Sequence, residues 1–164
     1  MSMIGNYLRV SDAELERLKD DPSDIMEVLY PNDGEGDHPE GRHLDIEKSW
    51  HAIQFLLTGD PWDGEPPEQN AVMGGTELGD EDVGYGPARG LTSAEVRAVS
   101  TALAALSGEE LWSRFDADAF AKAEIYPQGW NAEGKEYILG YYEELRAFFA
   151  EAARAGDAMI LYLN

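Results

Sequence analysis

The two most strand-like stretches of this sequence stand at its opposite ends. Met3-Ile4-Gly5-Asn6-Tyr7-Leu8-Arg9-Val10 is β-branched and aromatic, and Ala158-Met159-Ile160-Leu161-Tyr162-Leu163 is an unbroken apolar run. The chain between them is mainly helical, so the two terminal strands are expected to pair at the centre of one sheet. The class that follows is α+β: a small mixed or antiparallel sheet including both terminal strands, packed against several helices in one layer, with residues 1–164 forming a single domain.

Capping signals place the helices. Ser11 with Glu14 opens a short helix carrying Leu15 and Leu18, and Pro22 suits the first turn of a second with Ile25, Met26, Val28 and Leu29. Residues 31–42 are Gly, Asp, Glu, His and Pro with nothing to bury, hence a surface loop. Asp45 is expected to cap a helix whose stripe is Ile46, Trp50, Ile53 and Leu57, ended by Thr58-Gly59-Asp60-Pro61. A polar loop covers 60–69. Asn70–Met73 then reads as a short strand, and Val83–Ala88 as an irregular edge strand. Thr92 with Glu95 and Ser107 with Glu110 are two more capping boxes, the first followed by Val96, Val99, Leu103 and Leu106. A long helix runs from about 133 to 155 with Ile138, Tyr141, Leu145, Phe148 and Ala152 on its buried stripe, and Gly140 inside it suggests a close backbone contact.

Charge narrows the function. Twelve basic and 33 acidic residues leave a formal charge of −21, which repels phosphate backbones and anionic headgroups, so neither nucleic acid nor membrane surface is an expected partner. No run reaches the ~18 apolar residues of a membrane span, the N-terminus lacks a secretion-signal layout, and with zero cysteines disulfides and thiolate sites are excluded. A cytoplasmic setting is expected.

Specific chemistry is harder to find. His38, His43 and His51 stand among Asp33, Glu35, Asp37, Asp45 and Glu47, where nitrogen and carboxylate ligands converge in sequence, yet the spacing matches no known ligand helix. Counted from Asp33 as a calcium loop, the required glycine is His38 and the bidentate glutamate is Leu44. Gly74-Gly75-Thr76-Glu77-Leu78-Gly79 lacks the lysine of a phosphate loop, and there is no serine-nucleophile elbow. No metal and no cofactor are expected.

Between Ser49 and Ala88 there is no lysine or arginine, while Asp60, Asp63, Glu65, Glu68, Glu77, Asp80, Glu81 and Asp82 all carry negative charge. If these loops fold to one side, their field attracts a basic partner. Trp62, Tyr85, Tyr126 and Trp130 lie in loops beside glycine or proline, where large rings line clefts or close over sheet edges.

Leu44-Asp45-Ile46-Glu47-Lys48-Ser49-Trp50-His51 leading to Phe55-Leu56-Leu57-Thr58-Gly59, with the opening strand, Ile125-Tyr126-Pro127 and the closing strand, resembles the YfbM-like family of small bacterial proteins. The resemblance spans essentially the whole chain. It implies an α+β domain in a bacterial cytoplasm and carries no assigned activity. Asp45, Lys48, Trp50, His51, Thr58, Gly59, Tyr126 and Pro127 become candidates for a shared site. At the motif's usual histidine position this chain has Gln54, with His51 one turn earlier.

Two readings follow. In the first, the chain is an acidic binding module whose face of Asp60, Asp63, Glu65, Glu68, Asp80, Glu81 and Asp82 engages a basic protein, as an inhibitor or immunity protein does. In the second, it is a small enzyme or ligand-binding domain built around Asp45, Lys48, His51, Tyr126 and Trp130. Either is compatible with a monomer or a homodimer through exposed aromatics.

Overall fold

The structure, a computed structural model, describes residues 2–34 and 37–164, apart from the Asp33 side chain. Strands β1 (Gly5–Val10) and β5 (Ala158–Leu163) pair antiparallel along their whole length, Gly5 opposite Leu163 and Val10 opposite Ala158. Two further pairings extend the sheet from each side. β2 (His43–Asp45) joins β1; β4 (Arg89–Leu91) joins β5 and carries β3 (Thr76–Glu77) at its edge, giving the order β2-β1-β5-β4-β3 with every pairing antiparallel.

Helices cover both faces of this sheet, which corrects the expectation of one layer. Tyr7, Leu91, Met159 and Leu161 point into the larger core, with α3 (Trp50–Thr58), α4 (Ser93–Ala104), α5 (Gly108–Trp112), α6 (Ala117–Lys122) and α7 (Lys135–Ala155). Leu8, Val10, Ile160 and Tyr162 point the other way, beneath α1 (Asp12–Asp20) and α2 (Ile25–Leu29). All six residues of β5 are therefore buried. An unbroken apolar strand is what two-sided cover requires, because side chains alternate between faces and a half-solvated strand would alternate in polarity. Gly5 sits where Trp50 crosses the strand: a Cβ there would lie 2.9 Å from Trp50 Cβ.

The helix starts follow the capping chemistry. Thr92/Glu95 and Ser107/Glu110 form complete capping boxes, and the Ser11 side chain accepts from Glu14 N–H while the Glu14 carboxylate turns instead to Arg17. Other expectations need correction. Asp45 ends β2, its carboxylate accepting from Glu47 N–H, and a 3-10 turn at Glu47–Ser49 precedes α3. Asn70–Met73 is no strand: Glu68–Ala71 is a 3-10 turn held to the sheet by the Tyr7 hydroxyl, which donates to Ala71 O at 2.6 Å. Val83–Ala88 is irregular and lies between the edge strand β3 and its neighbour β4. Arg89, in β4, donates to the carbonyls of Val72 (2.8 Å) and Gly74 (2.7 Å) and so fastens that turn.

In α7 the buried stripe is Ile138, Tyr142, Leu145, Phe149 and Ala152, one residue round from expectation at two positions. Tyr142 is selected because its hydroxyl reaches Leu106 O at 2.8 Å. Gly140 makes no close contact; a Cβ there would meet nothing within 4 Å. Gly140→Ala is thus expected to raise the unfolding free energy by about 0.5–1 kcal/mol, since it removes only backbone freedom from the unfolded chain. Urea denaturation reads this directly, and destabilisation would contradict the open surroundings.

Candidate functional site

Around the start of α3 the structure assembles four rings. Trp50 is 1% exposed, and its indole Nε1–H donates to Met3 O at 2.9 Å, tying α3 to the first strand. Its ring stacks on His51 at 4.8 Å and on Tyr126 at 5.8 Å between centroids. Trp62, from the loop after α3, covers the group, 4.5 Å from His51 and 6.2 Å from Trp50.

His51 belongs to this packing and not to a pocket mouth. It is 1% exposed, and Nδ1 accepts from Tyr126 N–H at 2.8 Å. The remaining proton of the neutral ring is therefore on Nε2, which is buried without a hydrogen-bond partner. Burial pushes this imidazole down to about 4, the Pro61 carbonyl opposing the shift. With its lone pair taken and its remaining N–H sealed beneath Trp62, the ring is closed to a substrate. The Tyr126 hydroxyl accepts from Met3 N–H at 2.9 Å, and Trp130 Nε1–H donates to Tyr126 O at 3.1 Å. Lys48 is reached through its backbone, whose N–H donates to the Tyr137 hydroxyl at 3.1 Å. His51, Tyr126 and Trp130 thus form one connected group with Lys48 at its margin. Asp45 is exposed and turns to the other face of the sheet, where it lines a groove.

Gln54, at the motif's histidine position, is fully buried and knits α3 to the following loop. Its Nε2–H donates to Gln69 Oε1 at 2.6 Å and its Oε1 accepts from Met73 N–H at 3.3 Å. Gln69 in turn accepts from Gly64 N–H and donates to Trp62 O, both at 2.7 Å. Asp60 Oδ1 accepts from Trp62 N–H (2.9 Å) and Asp63 N–H (2.8 Å), and these backbone donors hold its carboxyl below the ordinary range. The loop from Asp60 to Glu68 is consequently fixed by its own hydrogen bonds. It presents Trp62 at 49% exposure, beside the exposed Asp63 and Glu65.

The acidic segments do not share an anchor. Ala71 and Val72 hold the first loop in the larger core, whereas Leu78 and Val83 hold Asp80, Glu81 and Asp82 in the core beneath α1 and α2. Asp82 Oδ1 is spent on Gly84 and Gly86 N–H. Among the described residues, no group of three or more His, Asp or Glu side chains is placed to hold a metal ion. Glu35 lies outside the described residues, as does the Asp33 side chain.

The architecture has a known counterpart. The crystal structure of YfbM from Escherichia coli, a protein of unknown function, superposes with a TM-score of 0.73 at 22% identity, covering 98% of this chain and 99% of that one. The model of a domain of unknown function, DUF1877, matches residues 1–162. The chain belongs to the DUF1877 family. Among curated proteins, none matches it. Within this DUF1877 chain, no helix of the described residues is long and apolar enough to cross a membrane.

Of these features, sequence pattern missed the fixing of the 60–69 loop, although Asp60 two and three residues before Trp62 and Asp63 is the signature of a side chain capping its own turn.

Proposed function

We propose that this DUF1877 domain is a protein-binding module that receives a basic segment of a partner on the loop between Asp60 and Glu68, with Trp62 as its anchor. The observation that carries the reading is a half-exposed tryptophan held in place by a hydrogen-bonded loop rich in carboxylates. Exposed indoles on rigid supports are the side chains that dominate interface energies, and they stack well against arginine and lysine. Rigidity lowers the entropy lost on docking. The charge of the rest of the molecule supports the same polarity. Its basic side chains are largely paired internally, Arg9 and Arg42 with Asp157, Arg17 with Glu14 and Asp24, Arg146 with Glu143, and Arg154 with Glu151. The loop's carboxylates thus meet an incoming cation with little competition. Because Asp80, Glu81 and Asp82 are anchored on the opposite face of the sheet, the proposed contact comprises Asp60, Asp63, Glu65 and Glu68.

Immobilised protein exposed to source lysate at low salt and at about 0.5 M, where screening is within a few ångströms, tests the reading. A partner retained at low salt should be lost at high salt, and lost at low salt from Trp62→Ala and from the Asp63→Asn/Glu65→Gln double variant. A partner indifferent to these changes would overturn it. So would light scattering showing a dimer that Trp62→Ala dissociates, since the patch would then serve a second copy.

A further inference from the structure

On the sheet face away from α3, a groove of about 560 Å3 opens between α2, the segment before β2, and the ends of β1 and β5. Its wall carries a relay of hydrogen bonds. His43 Nε2 meets Asn6 Oδ1 at 2.9 Å; Asn6 Nδ2 donates to Ile4 O and to Asn164 Oδ1; Asn164 Nδ2 donates to the Tyr30 hydroxyl, which donates to Val83 O at 2.7 Å. Because the Asn6 amide nitrogen is committed to two carbonyl oxygens, Asn6 Oδ1 must accept, and His43 must donate from Nε2. His38 likewise donates from Nε2, to Leu29 O at 2.9 Å. A neutral ring at either position therefore keeps its lone pair on Nδ1.

The relay spends these donors inside the protein and leaves acceptors over. Three carboxylates, Asp37, Glu40 and Asp45, line the same groove, and among the described residues no lysine or arginine does. Aromatic faces complete it: His38 and His43 lie 5.4 Å apart, His43 and Tyr162 6.4 Å, Tyr30 and Tyr162 6.0 Å between centroids. A wall of lone pairs, carboxylates and ring faces suits a ligand made of donors and positive charge. A metal ion is the poorer fit, because among the described residues no third ligand side chain converges with the two histidines. Burial, followed by the neighbouring His38, keeps the His43 imidazole below its ordinary range, against Asp45 and Asp37, which favours the neutral ring that accepts at Nδ1.

We propose that this groove is a binding site for an aliphatic amine carrying two or more ammonium groups, which hydrogen-bond the carboxylates and Nδ1 atoms while the chain lies along the rings. The site is independent of the Trp62 surface, and either can fail alone.

Because a chain of charge −21 gathers any cation diffusely, the test must separate a site from an ion atmosphere. The full-length protein is titrated with spermidine at about 0.15 M salt, reading the imidazole resonances by NMR and affinity by calorimetry. His38 and His43 should shift saturably while His51 does not. Asp37→Asn/Asp45→Asn should weaken binding about tenfold or more, whereas Asp118→Asn/Glu144→Gln, which removes the same charge from exposed positions across the sheet, leaves it within about twofold. Equal weakening by both pairs would overturn the proposal, as would the absence of a saturable shift, or zinc ions moving the two histidines where spermidine does not.

Discussion

Trp50→Ala is expected to lower the unfolding free energy by about 3–5 kcal/mol, the range for deleting a large aromatic side chain from a packed interior. Trp50 is 1% exposed and is the residue on which three other parts of the chain meet: its indole donates to Met3 O and its Cβ fills the space over Gly5 in the first strand, and its ring faces Tyr126 and Trp62. The cavity left behind cannot collapse readily, because β1 beneath it is held in the sheet on both sides. Trp50→Phe should cost less, about 1–3 kcal/mol, through the unpaired Met3 carbonyl and the smaller ring. Urea denaturation of the two variants measures both values. A loss below about 1.5 kcal/mol for Trp50→Ala would show that this cluster does not carry the stability assigned to it. Trp62→Ala is the useful contrast, since a half-exposed ring should cost only about 1 kcal/mol or less.

Acidification should expose the second large effect. His51 has an ordinary value of 6.5 and is held down to about 4 in the folded protein, first by burial. Between those two values the unfolded chain takes up a proton that the folded chain refuses, so stability rises with pH through the window. The contribution is fully present above pH about 6.5 and is progressively lost towards pH 4, by which point the loss amounts to up to about 3 kcal/mol. Denaturation of wild type and His51→Asn at pH 7 and at pH 4.5 isolates it. The asparagine retains an acceptor for Tyr126 N–H but does not titrate, so the stability gap between the two proteins should shrink as the pH falls, the carboxylates common to both cancelling. The imidazole resonance of His51 should titrate near 4; titration near 6.5 with the fold intact would refute the buried, lone-pair-engaged assignment. Trp62→Ala should move this titration upward by uncovering the ring, which links the interface residue to the core beneath it.

Local chemistry was legible wherever it depends on neighbours in sequence. Thr92 and Ser107 open helices because their partners Glu95 and Glu110 lie three residues on, inside the same turn. Leu15, Leu18, Val96, Val99 and Leu103 are buried because helical spacing alone puts them on one side. The stripe of α7 shows where this stops. Tyr141 and Tyr142 both suit helical periodicity, and the choice fell to Tyr142 because Leu106 O, in another element, was in reach of its hydroxyl. Likewise β2 and β3 are two- or three-residue strands with no pattern of their own, formed only because β1 and β4 offer them unpaired edges.

The candidate site divides in the same way. Asp45, Lys48 and His51 were conspicuous together in sequence, but the turn of the chain before α3 sends Asp45 to one face of the sheet and seals His51 under Trp62 on the other. His38 and His43 were conspicuous as metal ligands, and their ring nitrogens face the carbonyls of Leu29 and Asn6, partners 9 and 37 residues away. By itself, then, the sequence determined the pairing of its two ends, the helices and their caps, and a surface of negative charge, since these rest on polarity, periodicity and contacts within a few residues. Only the tertiary structure decided that the sheet is covered on both faces, which acids share an anchor, and which histidine keeps a free lone pair. Those outcomes are set by hydrogen bonds and packing between segments far apart in the chain, where each group takes whichever partner the fold brings within about 3 Å.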